Sequence, residues 1–112
     1  MDEKVYQGYL YDFYGSLLKD SRREILSEYL MEDISLSEIA QDRGITRQAA
    51  FDMVRRSIKS LEDYEAKLGL LSKFLSAKND IEKIEALASK SDITAEELKT
   101  ISGLAAGILE DF

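Results

Sequence analysis

Residues 35–61, SLSEIAQDRGITRQAAFDMVRRSIKSL, place two helix starts on either side of one glycine, and few folds accommodate that spacing. Ser35 with Glu38 fits a capping box, in which each side chain satisfies a backbone N–H left open at a helix start. Gly44 tolerates the positive φ that terminates helices. Thr46 then caps a second, longer helix. Ala40 is small where two helices must approach, Leu36 and Ile39 face the core, and Ile45 plugs the turn. Ala50, Met53, Val54 and Ile58 supply the buried stripe of the second helix. A short helix, a tight turn and a longer crossing helix make a helix-turn-helix.

The rest of the chain carries the same periodicity. Apolar residues return every three or four positions, strand alternation is nowhere sustained, and proline is absent, so the fold class is all-α. A first helix is expected from about Asp2 to Leu18, with Tyr6, Leu10, Phe13 and Leu17 as its stripe and Tyr9, Tyr11 and Tyr14 widening it. Asp20 or Ser21 is expected to cap a second helix to about Met31, Ser21 with Glu24 fitting another box. The helix after Thr46 can extend to Leu68, with Ala50, Met53, Val54, Ile58, Leu61 and Leu68 as its seam and Tyr64 alongside. Its far half outruns a helix-turn-helix and must pack on the first helix, the C-terminal region or a second subunit. Gly69 marks a bend. Two short helices divided near Asn79 and Asp80 are expected next, and Thr94 with Glu97 boxes the start of a last helix. With no linker visible, residues 1–112 read as one all-helical domain, its helix-turn-helix within about 21–68 and an extension over about 70–112.

Composition narrows the function. With neither His nor Cys there is no disulfide, no thiolate and no imidazole base, and no Gly-rich phosphate loop is present. An enzyme, a cofactor and a metal site are therefore not expected. The start, MDEKVYQGYL, lacks the apolar run of a signal peptide and no stretch is long enough for a membrane span, so a cytoplasmic protein is the expectation. The net charge is −7, but residues 35–61 hold five basic and three acidic side chains while both flanks are acidic. Any anion-binding face lies in that middle segment. The side of its second helix left for solvent or a groove is Arg47, Gln48, Phe51, Asp52 and Arg55.

SLSEIAQDRGITRQAA resembles the promoter-reading fourth region of bacterial sigma factors, in which a capped short helix with Ile-Ala precedes Gly-Ile/Val-Ser/Thr-Arg at the turn. The wider run SRREILSEYLMEDISLSEIAQDRGITRQAAFDMVRRSIKSLEDYEAKLGL is similar to the YlxM family of helix-turn-helix proteins, through its Arg-Gln-Ala and aromatic-Asp helix start and LEDYEAKL at its end. The resemblance implies a sigma-like helix-turn-helix without a wing, extra helices, and regulation of the signal recognition particle pathway. It puts Thr46, Arg47 and Gln48 at the first turn, where base edges or phosphates are reached. Arg55, Arg56 and Lys59 follow toward backbone, and Arg22 and Arg23 toward phosphate from the preceding helix. Phe51 and Asp52 depart from the sigma pattern, because a carboxylate repels phosphate.

Plainer readings stay open: Arg47 and Gln48 as solvated residues, Arg56 paired with Asp52, Lys59 paired with Asp63, the tyrosines as core. Two functions follow. One is a DNA-binding regulator, taken as a homodimer because of the long helix and surplus aromatics. The other is a protein-interaction module that binds the signal recognition particle protein or its RNA complex.

Overall fold

Asp2 opens the first helix by accepting the Val5 N–H, and α1 runs Glu3–Tyr14 in the computed structural model, which describes all of Met1–Phe112. The expected continuation to Leu18 does not occur. A single 3-10 turn, Gly15–Leu17, follows, and Leu18 is extended. Gly15 permits this closure because the Tyr11 ring lies so near that an added Cβ would meet it at 2.9 Å. The shift exposes Leu17 and buries Leu18 in its place.

The second helix, α2 (Asp20–Leu30), starts two residues earlier than a Ser21 cap requires and one earlier than an Asp20 cap. Lys19 is its N-cap, with no side-chain bond, and Ser21 already lies inside. Asp20 instead sits in the first turn, where a carboxylate meets the positive end of the helix dipole, and it pairs with Arg23 at 3.0 Å. Asp33, in the loop that follows, takes a positive φ and pairs with Lys4 of α1.

The centre follows the sequence closely. Helix α3 (Leu36–Arg43) is capped by Ser35, whose Oγ accepts the Glu38 N–H at 3.1 Å. The box is only half formed, since the Glu38 carboxylate accepts from the Ser35 hydroxyl, not from its backbone. Gly44 has φ +65°, its N–H bonds to the Gln41 carbonyl, and the Ile45 N–H reaches the Ala40 carbonyl. That pair of bonds is a Schellman ending. Thr46 caps α4 (Arg47–Leu68) by accepting the Ala49 N–H at 3.0 Å.

Helix α4 is the spine on which α1, α2 and α3 all pack. Ala50, Val54, Ser57 and Leu61 form its buried stripe at i, i+4, i+7, i+11, and Leu10, Tyr14, Ile25, Leu26 and Ile39 are the buried residues of the helices packed on it. Ser57 is a polar residue in a position that periodicity reserves for the core. Met53, Ile58 and Tyr64 are half-buried, and Leu68, expected in the seam, is exposed. Of the packings open to the far half of α4, the first helix supplies one. The Tyr14 hydroxyl donates to Glu65 Oε1 at 2.6 Å, and the Tyr14 and Tyr64 rings lie 6.0 Å apart.

Packing divides into two compact units at Gly69, Met1–Gly69 and Leu70–Phe112. Gly69 ends α4 with φ +64°. The second unit is a hairpin of α5 (Leu70–Ala88) and α6 (Ala95–Glu110). The expected break at Asn79 and Asp80 is absent. Neither residue breaks a helix, and Ala77, Ile81, Ile84 and Ala88 carry the 3–4 spacing straight across them.

Thr94 and Glu97 make the complete capping box at α6. Lys90 bonds the Glu97 carboxylate, and the Thr94 N–H donates to it at 3.0 Å. Together they push the Glu97 carboxyl from its ordinary 4.5 down to about 2. A carboxylate held low stabilises the fold fully above its unfolded value and loses that contribution as pH falls through the folded one. The start of α6 is therefore expected to loosen between pH 4.5 and about 2. Amide exchange at Glu97 and Leu98, followed against pH, checks this, and Glu97→Gln should remove the step.

Candidate nucleic-acid interface

The 3.6-residue turn sorts the solvent side of α4 into three strips. Gln48, Asp52, Arg55 and Lys59 share the middle one, Arg47 and Phe51 lie on one flank, and Arg56 on the other. Arg47, Gln48, Arg55, Arg56 and Lys59 are exposed, as is Phe51 at 43%. Thr46 spends its oxygen as acceptor in the cap, which leaves its O–H able to donate outward.

Asp52 organises the middle strip. It accepts from Gln48 Nε2 at 3.1 Å and stands 3.7 Å from the Arg55 guanidinium. Arg56 does not take the i, i+4 partner that the sequence offers it. It makes no ion pair, and neither does Arg47. Gln48 uses one of its two amide N–H groups on Asp52 and keeps the other with its carbonyl oxygen, the pair that an adenine edge requires. Lys59 does pair with Asp63, at 2.6 Å, and that carboxylate holds its ammonium above the ordinary value. Glu62 and Asp63 make the C-terminal end of the face acidic, so cationic groups dominate only its first turns.

Beside this face lies a groove of about 470 Å³. Phe51, Val54, Arg55, Ile58 and Lys59 of α4 form one wall, Glu3 and Gln7 of α1 another, and Tyr29 and Leu36 complete it. Phe51, Arg55 and Lys59 are thus brought together. Arg23 is not with them. It lines a separate depression with Tyr11, Glu24, Ser27, Glu28 and Glu32, three of whose six lining residues are acidic, and it is held by Asp20. Arg22 is half-buried and lines neither depression.

Three residues of this region escape a reading by sequence. Tyr29 and Leu36 reach the groove only because α2 and α3 cross α4. Arg43 bonds Glu28 and lies 3.8 Å from Glu24, tying the end of α3 to α2. The i, i+4 spacing of Glu24 and Glu28 announces a paired carboxylate face, but nothing linear says which cation meets it.

The family model described as "Putative helix-turn-helix protein, YlxM / p13 like" matches residues 1–101. The chain is 38% identical over 101 residues to the UPF0122 proteins of Bacillus cereus (strain Q1) and Bacillus anthracis (strain A0248). Those matches cover 90% of this chain and 92% of each relative. No helix is long and apolar enough to cross a membrane.

Proposed function

Because the chain belongs to the YlxM / p13-like family of helix-turn-helix proteins, we propose that it binds DNA through the first turns of α4. The observation that carries this reading is the exposed, unpaired Arg47 beside Gln48 at the capped start of that helix, within the one segment of positive balance. A helix presented this way reaches base edges with its N-terminal residues while flanking cations meet phosphate. Arg55, Arg56 and Lys59 are placed for the backbone, and Arg22 and Arg23 only for a duplex that wraps toward α2. Regulation of signal recognition particle genes, in the cytoplasm and as a homodimer, is the finer form of this proposal. The signal recognition particle role is supported by the family resemblance, and the homodimer by the long α4 and the surplus aromatics.

Fluorescence anisotropy with genomic fragments at two salt concentrations tests it. Saturable binding is expected, weakening with salt by a slope of about −0.9 per phosphate contacted. Absence of saturable binding at low salt rejects the reading. Asp52→Asn is expected to tighten binding by about two- to fivefold, the size of one exposed charge interaction, because it removes a repelling carboxylate and frees Arg55.

One observation favours a second reading: the exposed Phe51 lines a groove together with Tyr29, Leu36, Val54 and Ile58, with Glu3, Gln7, Arg55, Lys59 and Glu62 also lining it. A groove of that kind suits a protein segment, and the signal recognition particle protein or its RNA complex is the candidate. Pull-down with purified particle, compared between the native chain and Phe51→Glu, decides it.

A further inference from the structure

The α5–α6 hairpin exposes more apolar surface than a unit of about forty residues sustains alone. Leu71 and Ala77 are its only buried apolar residues, and α6 buries none at all. A helix with an apolar stripe must bury it against another element.

Periodicity collects the surplus on one side. Half-buried Ile101, Leu104 and Ile108 face α5, and half-buried Ile84 faces α6. Roughly a quarter-turn further round each helix come exposed residues. They are Leu98 at 54%, Ala105 and Leu109 at 77% on α6, with Ile81 at 50% and Ala88 on α5. The helices run antiparallel, so the same rotation on each brings both stripes to one side of the hairpin. The opposite side is polar, with Ser76, Asn79 and Lys83 on α5 and Glu96 and Thr100 on α6.

We propose that this apolar side is a homodimer interface, closing on the same side of a second copy to form an antiparallel four-helix bundle. Spacing supports it: Leu98, Ala105 and Phe112 are seven apart, as are Ala77 and Ile84, or Ile81 and Ala88, the repeat of a helix–helix seam. Area supports it as well. A face as long as α6, ~24 Å, and two helices or ~20 Å wide spans roughly 480 Å² in projection, more than half of the ~800 Å² that each partner buries in a standard interface.

Charge then selects a second copy. Outside the apolar stripe, α5 carries Lys78, Glu82 and Glu85, and α6 carries Lys99 and Glu110. With the twofold axis along the bundle, α5 of one copy lies antiparallel to α6 of the other at the level of its own α6. Glu82 and Glu85 then meet Lys99 of the second copy, which lies at their own level along the bundle. The twofold repeats this pairing of opposite signs on the other edge, which favours this register. The hairpin holds five basic and eight acidic side chains, so a polyanion is a poor occupant.

Sedimentation of the full chain at micromolar to tens of micromolar concentration tests the proposal. The native chain is expected to be a dimer. Ala105→Glu, at an exposed site that leaves the hairpin's own contacts in place, should raise the dimer dissociation constant about tenfold or more. Asn79→Glu, on the polar side, should not change it. Lys99→Glu should weaken the dimer, and adding Glu82→Lys with Glu85→Lys should restore it, a rescue that general unfolding cannot mimic. A native chain that is monomeric at tens of micromolar, or a dimer indifferent to both Ala105→Glu and the charge exchange, overturns the proposal.

Discussion

Arg47→Ala is expected to weaken binding to a specific DNA site by about 5- to 150-fold, the worth of one good arginine fork to a base. The side chain is exposed, makes no ion pair, and follows the Thr46 cap directly, so its loss leaves α4 intact. An arginine at a helix N-terminus opposes the helix dipole, and removing it should if anything stabilise the fold slightly. The measurement is therefore a paired one. Anisotropy should report weaker binding, with the difference much smaller on a scrambled duplex, while thermal unfolding stays within about a degree or two of native. Equal loss on specific and scrambled DNA would make Arg47 a phosphate contact. Unchanged affinity on both would remove it from the interface.

Leu61→Ala is expected to have the largest effect on stability, about 2–5 kcal/mol. Leu61 is fully buried in the half of α4 that lies beyond the helix-turn-helix, one turn before Tyr64 and Glu65, which meet Tyr14. Truncation leaves a cavity where α4 has α1 against it and few ways to collapse. Chemical denaturation should show a lower midpoint at similar slope. A change below about 1 kcal/mol would mean that the α1–α4 packing contributes little, contrary to its burial. Leu68→Ala, seven residues on and exposed, is the matched control.

These two residues mark how far linear reading reaches. The helix-turn-helix was legible because local chemistry specifies it: Ser35 and Thr46 have hydroxyls at the right offset from open N–H groups, and Gly44 meets the left-handed turn without a Cβ penalty. The box at Thr94 was legible for the same reason. Asp20 and Ser21 failed as caps because the helix begins at Asp20 itself, after an extended Lys19 that makes no side-chain cap bond, and the Asp20 carboxylate turns to Arg23 instead. Leu17 failed as a core residue because the Tyr11 ring over Gly15 closes a 3-10 turn, and one tightened turn rotates every later side chain. Asn79 and Asp80 failed as a break because neither residue stops a helix and the apolar 3–4 spacing of Ala77, Ile81, Ile84 and Ala88 runs across them.

The candidate site divides along the same line. The outer side of α4 was legible, since helical spacing alone puts Arg47, Gln48, Asp52, Arg55 and Lys59 there. Its internal wiring was not: Asp52 chose Gln48 and Arg55 over Arg56, a choice among rotamers that spacing leaves degenerate. Sequence by itself determined the all-α class, the capped starts at Ser35, Thr46 and Thr94, the glycine ends at Gly44 and Gly69 and the side of α4 that stays wet, because caps, glycines and periodicity act within a turn or two. Tertiary structure alone decided that Tyr14 and Glu65 join α1 to α4, that Arg43 clasps Glu28, and that Tyr29 and Leu36 line a groove with Phe51. Those contacts bring together residues far apart in the chain, and their partners are set by how helices cross.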